Sequence, residues 1–390
     1  MHHNVAPAKD RRLLDHLVDG QTDRGVKRGD NSAGAHPRHH LNRNLMADEA
    51  SQHTEMRRAA QTSGAQDDAN ADGCRIETHR AIMVRSTIAR RVLEKAAGAR
   101  INDKFMARTE VIAHRGASAY APENTMPSFD LAVSQDAGCV EHDLHVTKDG
   151  VLVCLHDRTL ERTTNVREAF PRRGHDVREG GEIVRRWFVH DFTLAEIQQL
   201  DAGSWFRPDF AGARVPTFDD LLAWARNRVA VLTELKDPDV YKTLGVDPLA
   251  LCEAALRRHG LMARPTDAAV TVQSFHAPTV RRAGELFVRR VPVVLLVEPA
   301  DAALLRDPEH VSAIAEFASG IGPGKSIVGD SPEIVGWAHD AGLRVTPWTF
   351  RTATIGPFES VGAEMKYYLV ELGVDAVITD HPDACPRYTP

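Results

Sequence analysis

From residue 111 onward, short β-rich apolar runs alternate with stretches whose apolar residues recur at helical spacing. The runs are VIAHRG (111–116), CVEHDL (139–144), VAVLTELK (229–236), AVTVQSF (269–275), PVVLLV (292–297), SIVG (326–329), RVTPWTF (344–350) and DAVITD (375–380). Helical candidates such as MPSFDLAVSQDA, TFDDLLAWARN, DPLALCEAALRRHG and SPEIVGWAHDAG fall between most of them. Eight strands separated by helices over about 280 residues predict the α/β class, and within it a parallel (β/α)8 TIM barrel. A doubly wound open sheet is the alternative, but no glycine-rich dinucleotide fingerprint follows any strand.

One further run, VLVCLHD (151–157), follows Lys148-Asp149-Gly150, and Asp-Gly between β-rich runs is a strong hairpin signal. A two-residue turn at Asp149-Gly150 sets His156 opposite Asp143, on a hairpin that climbs above the barrel mouth and returns. A slip of one residue would send His156 to the other face. The next segment, about 158–215, is too long for a minimal barrel loop and reads as an insertion over the C-terminal face. Its Trp187, Phe188, Trp205 and Phe206 are available as an apolar lid.

Upstream, residues 1–78 are rich in His, Asp, Ala and Gly and poor in aromatics. Such a composition cannot bury enough apolar surface to offset chain entropy, so a largely disordered tail is predicted. Residues 79–107 read as a basic amphipathic helical linker, with Ile82, Met83, Ile88, Val92 and Leu93 near one face. That helix is expected to pack on the domain, with contact to a membrane surface as the alternative. The barrel domain then spans 108–390.

Composition narrows the partners. A chain of 390 residues with a formal net charge of -6 and interspersed charge lacks the basic excess of a protein built around nucleic-acid phosphates. No run approaches the roughly 18 to 20 apolar residues of a bilayer span, and no apolar signal core opens the chain, so a cytoplasmic protein is expected. The five cysteines are scattered without paired spacing, which predicts buried reduced thiols and neither a disulfide framework nor a zinc site.

The candidate chemistry gathers at strand ends. Glu141 and Asp143 stand two apart on a strand, so both carboxylates point to one side. Glu234 and Lys236 repeat that geometry after an apolar run. Three carboxylates at the ends of two strands make a hard oxygen site suited to one divalent cation, Ca²⁺ or Mg²⁺. Arg115 and Lys236 supply fixed positive charge for a phosphate, and His114 and His156 supply two groups that titrate near neutrality. Metal ligands, phosphate anchors and an acid/base pair at the C-terminal ends of barrel strands form a phosphoester-cleaving constellation. His142 alternates to the opposite side and is expected under a helix. His145, on the site side but higher on the hairpin, could touch substrate.

The run AHRGASAYAPENTMPSFDLAVSQDAGCVEHDLHVTKDGVLVCLHDRTLERTT resembles the signature of the glycerophosphodiester phosphodiesterase family, with ELK (234–236), QSF (273–275), WTF (348–350) and TDHP (379–382) following in order. The resemblance covers about 110–385. It implies metal binding by Glu141, Asp143 and Glu234, acid/base work by His114 and His156, and phosphate binding by Arg115 and Lys236. Asn124, in the Glu-Asn-Thr block with Glu123, would orient His114, line the site or serve the loop and helix cap. Gln273, Phe275 and Trp348 end later strands and would line the pocket. The activity so implied is metal-dependent hydrolysis of a glycerophosphodiester to glycerol 3-phosphate and an alcohol through a cyclic phosphate. The alternatives are a lysophospholipase D or sphingomyelinase D activity on lipid, and a catalytically silent phosphodiester-binding barrel. Retention of both histidines and all three carboxylates argues against the silent barrel.

Overall fold

The computed structural model describes residues 111–262, 270–287 and 290–386. The tail predicted over 1–78 and the helical linker predicted over 79–107 lie outside the described residues. Eleven strands are described: β1 (Val111–Ala113), β2 (Cys139–Val146), β3 (Leu152–Cys154), β4 (His175–Glu179), β5 (Glu182–Arg186), β6 (Ala230–Leu235), β7 (Val270–Ser274), β8 (Val293–Val297), β9 (Gly320–Pro323), β10 (Arg344–Val345) and β11 (Val377–Thr379). Eight of them run parallel in the order β10-β9-β8-β7-β6-β2-β1-β11. The ring closes because the chain beyond β10 bonds to β11: Ile378 N–H donates to the Pro347 carbonyl, and Phe350 N–H to the Ile378 carbonyl. The architecture is a (β/α)8 barrel of the TIM type.

Strand alternation explains how one chain serves two cores. Ile112, Cys139, Ala230, Leu232, Ala376 and Ile378 form an apolar cluster of their own, the floor of the barrel lumen. Val140, Leu144, Val231, Leu235 and Val377 alternate with them and join the larger core beneath the helices. Each fully buried aliphatic side chain in these layers stabilises by roughly 1.5–3 kcal/mol. Two residues above Ile112, Cys139, Leu232 and Ile378, the same lumen side carries His114, Glu141, Glu234 and Asp380 in turn.

Local signals set the helices. The helix Phe218–Ala225 starts at Thr217, whose Oγ1 accepts from Asp220 N–H at 3.0 Å while Asp220 Oδ2 accepts from Thr217 N–H at 3.1 Å. The helix Pro248–Arg258 starts at Asp247, which accepts from Ala250 N–H, with proline at its first position. Cys139, Cys154 and Cys252 are buried thiols.

Three sequence expectations need correction. The sixth barrel strand is β9, GIGP at 320–323, whereas SIVG lies within the helix Lys325–Asp330. Glycine marks this strand because neighbours crowd it: a Cβ on Gly320 would sit 2.9 Å from the Arg344 carbonyl, and one on Gly322 would sit 2.6 Å from Leu296 Cδ2. The hairpin pairs Leu144 with Cys154 and Val146 with Leu152, one residue out of the register that a two-residue Asp-Gly turn requires. Thr147 closes the wider loop, its carbonyl accepting from Gly150 N–H and its Oγ1 from Val151 N–H. Trp187 is no part of a lid, because it lies 3% exposed in a separate core of the insertion with Leu160, Val166, Phe192 and Leu200, its Nε1 donating to the Phe170 carbonyl. Trp205 is exposed and Phe206 half-buried.

At the end of β1 the chain turns through two left-handed residues, Arg115 (φ 56°) and Gly116 (φ 84°). A Cβ on Gly116 would lie 2.4 Å from Ser128 Oγ and 2.6 Å from the Ser128 carbonyl carbon. Gly116→Ala is therefore expected to destabilise the fold by about 2–4 kcal/mol, read as a lowered urea midpoint at unchanged slope. A midpoint equal to that of the parent would show that this turn is looser than its geometry implies.

Candidate active site

The site sits at the C-terminal ends of β1, β2, β6, β7 and β11, directly above the apolar lumen floor. Register brings its acids together: Asp143 pairs with Glu234, and Glu234 with Gln273, across adjacent parallel strands. The carboxylate oxygens of Glu141, Asp143 and Glu234 lie within 4.8 Å of one another, and all three residues are buried.

Two cations and an amide hold this cluster. Arg115 places Nε 3.2 Å from Asp143 Oδ2, its Nη1 donates to Glu123 at 3.0 Å, and its backbone N–H donates to Glu141 Oε2 at 3.0 Å. Lys236 Nζ lies 2.8 Å from Glu234 and 3.7 Å from Asp143. Asn124, also left-handed (φ 56°), donates Nδ2 to Asp143 Oδ2 at 2.8 Å and accepts from Asp143 N–H at 3.3 Å. Of the roles open to Asn124, the structure shows it on Asp143 and not on His114. Left-handed backbone at non-glycine residues is strained, and here the surrounding hydrogen bonds hold it in place.

The charges sort themselves by partner. Burial works against the Asp143 anion, yet Arg115, Lys236, His156 and Asn124 hold its carboxyl well below the usual range. Glu141 has the opposite balance: burial pushes its carboxyl well above the usual range, and Asp143 and Glu234 push the same way. Burial also raises Glu234, against the pull of Lys236. Burial and the neighbouring acids thus favour the protonated forms of Glu141 and Glu234 while Asp143 keeps its charge, and a divalent cation would take the place of those protons. Gln273 donates Nε2 to Glu141 at 3.3 Å and leaves its Oε1 buried without a partner. An all-oxygen donor set with one such spare oxygen fits a hard cation such as Ca²⁺ or Mg²⁺.

Both site histidines are oriented by carboxylates. His114 Nδ1 lies 2.6 Å from Asp380 Oδ1, and His156 Nδ1 lies 2.7 Å from Asp157 Oδ1. Asp380 is held ionised against its burial by His114 and Arg351, and Asp157 against its own by His156 and Arg162. An ionised carboxylate only accepts, so each Nδ1 carries the hydrogen and each Nε2 is left for chemistry. Burial and then the Arg115 charge lower the His114 pKa, with Asp380 opposing them.

His156 follows Leu155, the last residue bonded across the slipped β2–β3 ladder, so its side chain is not bound to that register. Leu155 N–H donates to the Asp143 carbonyl, and the His156 charge acts on both Asp143 and Glu234. His145 is fully buried, with both ring nitrogens taken up within the protein rather than open to a substrate. Tyr241 Oη lies 2.8 Å from its Nδ1, and its Nε2 donates to the His156 carbonyl at 3.1 Å. Burial keeps it neutral, with its pKa lowered to about 4. His142 lies on the opposite side as expected, against Phe218 with ring centroids 5.5 Å apart and Nε2 2.9 Å from Thr233 Oγ1.

Phe275 and Trp348 form an aromatic wall beside Lys236, their rings edge to face at 5.4 Å, with Lys236 Nζ 5.9 Å from the Phe275 centroid. Trp348 Nε1 donates to the Gly322 carbonyl at 2.7 Å. The structure thus brings together His114, Arg115, Asn124, Glu141, Asp143, His156, Glu234, Lys236 and Gln273, with Phe275 and Trp348 alongside. Sequence reasoning passed over Asp380 and Asp157 as orienting groups. The signal was present, since each lies in a quoted block, TDHP and LHD, at the end of a β-rich run.

A family model described as the glycerophosphoryl diester phosphodiesterase family matches residues 114–384. A glycerophosphodiester phosphodiesterase of Bacillus subtilis is 31% identical over 285 residues, covering 71% of this chain and 85% of the relative. One from Caldanaerobacter subterraneus is 31% identical over 277 residues, covering 71% and 96%. Among solved structures, an Oleispira antarctica phosphodiesterase in complex with the product sn-glycerol-3-phosphate is similar with TM-score 0.55 and 25% identity, covering 70% of this chain and 94% of that one. A glycerophosphodiester phosphodiesterase from Agrobacterium tumefaciens is similar with TM-score 0.52 and 27% identity, covering 71% and 98%. No helix among the described residues is long and apolar enough to cross a membrane.

Proposed function

Because the chain belongs to the glycerophosphoryl diester phosphodiesterase family, we propose that it hydrolyses a glycerophosphodiester to glycerol 3-phosphate and an alcohol by two-histidine acid/base catalysis. The observation that carries this reading is the pair of imidazoles, each with Nδ1 on a carboxylate, beside three clustered carboxylates and two cations. Glu141, Asp143 and Glu234 would hold Ca²⁺ or Mg²⁺, which when bound supplies Lewis-acid polarisation at the phosphate and the neighbouring glycerol hydroxyl.

Arg115 and Lys236 neutralise the phosphate oxygens and fix the diester's orientation. His114, whose cation burial and Arg115 disfavour, accepts at Nε2 the proton of the hydroxyl adjacent to the ester as that oxygen attacks phosphorus. His156 delivers a proton to the departing alkoxide, and a cyclic phosphate forms. Water then opens the ring while the two imidazoles exchange roles, which restores both. Phe275 and Trp348 shield this chemistry from bulk water on one side. Hydrolysis of a lysolipid under an aromatic lid is less well supported, since Trp187 belongs to the core of the insertion.

The test is release of glycerol 3-phosphate from glycerophosphocholine by the full chain with Ca²⁺, Mg²⁺ or chelator. Metal-dependent release is expected, with a dialkyl phosphate that lacks an adjacent hydroxyl turned over at least about 100-fold more slowly. Equal turnover of the two diesters would rule out the cyclic route, and activity on lysophosphatidylcholine alone would favour the lipid reading.

A further inference from the structure

We propose that Arg162, at the start of the insertion, is the positioning residue that ties the His156 end of the site to the Arg115 end. The inference rests on the reaction proposed above. Arg162 forks onto two carboxylates that arrive from different loops. Its Nε lies 2.5 Å from Asp157 Oδ2 and its Nη2 3.0 Å from Asp157 Oδ1, while Nη1 lies 2.9 Å from Glu123 Oε2 and Nη2 2.7 Å from Glu123 Oε1.

The oxygens shared in this network are the ones that matter. Asp157 Oδ1 also takes His156 Nδ1 at 2.7 Å, and Glu123 Oε1 also takes Arg115 Nη1 at 3.0 Å. A single nitrogen, Arg162 Nη2, therefore touches both the atom that orients the proton-transferring imidazole and the atom that orients the phosphate-holding guanidinium. Glu123 is half-buried, which works against its charge, and the Arg162 bond followed by the Arg115 charge holds it ionised.

A planar guanidinium can serve two carboxylates at once, whereas an ammonium is a point charge that commits to one. The side chain of Arg162 is itself 41% exposed, and an ion pair so open to solvent adds little to stability. That separates a positioning role from a structural one: the fold tolerates loss of Arg162, and the alignment of the two catalytic halves does not. Arg162 falls in the quoted run ERTT, to which sequence reasoning assigned no chemistry.

The experiment compares the full chain with Arg162→Gln, Arg162→Lys, Asp157→Asn and the Asp157→Asn/Arg162→Gln double variant on glycerophosphocholine at saturating metal. Arg162→Gln is expected to lower kcat about 100-fold with KM changed less than about fivefold, and to move the melting temperature by no more than about 3 °C. Arg162→Lys recovers less than about tenfold, and the double variant loses far less than the product of the two single losses, because Arg162 acts partly through Asp157. Nitrogen-15 spectra of the imidazoles read the same point without turnover, with loss of the protected His156 Nδ1–H signal expected in Arg162→Gln. Additive losses with an unchanged His156 signal, or a melting point more than about 10 °C lower in both single-site Arg162 variants, would overturn the proposal. A wild-type chain that releases no glycerol 3-phosphate overturns the reaction instead, and the imidazole spectra then still decide whether Arg162 orients His156.

Discussion

Replacing His114 by alanine is expected to lower kcat at saturating metal by about 10³-fold, since a positioned general base contributes roughly 10²–10⁴-fold. Asp380→Asn is expected to leave the metal site intact and still lower kcat about 100-fold, because the imidazole loses the acceptor that holds hydrogen on Nδ1 and keeps Nε2 free. The pH dependence carries a sign. Burial and the Arg115 charge disfavour the His114 cation, so its neutral form persists below the ordinary histidine value of 6.5 and the acidic limb of kcat/KM lies below that value. The hydrogen bond and charge of Asp380 work the other way, toward the cation. Removing them in Asp380→Asn should move the acidic limb further down even as the rate falls. A limb displaced upward in that variant would mean that another group controls it.

The second large effect concerns the metal. Glu141 and Glu234 have raised carboxyl pKa values, chiefly through burial, so protons must leave before a cation enters. Affinity for Ca²⁺ or Mg²⁺ is therefore expected to weaken as pH falls through those raised values, by up to about tenfold per pH unit for each proton displaced. Calorimetric titration in two buffers of different ionisation enthalpy would report about one proton or more released per ion bound. Asp143→Asn should abolish binding and lower activity by more than about 10³-fold, because Asp143 is the carboxylate held ionised by Arg115, Lys236 and Asn124. Binding that is independent of pH, or tight in Asp143→Asn, would place the cation elsewhere.

Much of this site was legible before the fold was seen, because two of its rules are local. Period-two alternation puts Glu141 with Asp143, and Glu234 with Lys236, on one side of their strands whatever surrounds them. An apolar floor residue two positions earlier, Cys139 or Leu232, identifies that side as the lumen only once the ring has closed. Strand six escaped notice for a physical reason. Its sequence, GIGP, carries turn signals, and the need for glycine comes from Arg344 and Leu296, which are far away in the chain.

The placement of His156 shows the same limit. Asp149-Gly150 marks the turn correctly, yet Thr147 closes a wider loop and slips the ladder by one residue. A slip of that kind ought to turn His156 away from Asp143. The chain instead leaves the ladder after Leu155, and His145, itself bonded to Tyr241, donates to the His156 carbonyl beyond it.

By itself, then, the sequence determined the alternation of strands and helices, the side of each strand that bears the acids, and the residue types that suit metal, phosphate and proton transfer. Those follow from backbone periodicity and side-chain chemistry, which act over a few residues. Only the tertiary structure decided which carboxylate keeps its charge, which acid orients each histidine and how Arg162 links the two halves. Each of these depends on distances between groups far apart in the chain, and electrostatic energy in a buried site is set by such distances and by exclusion of water.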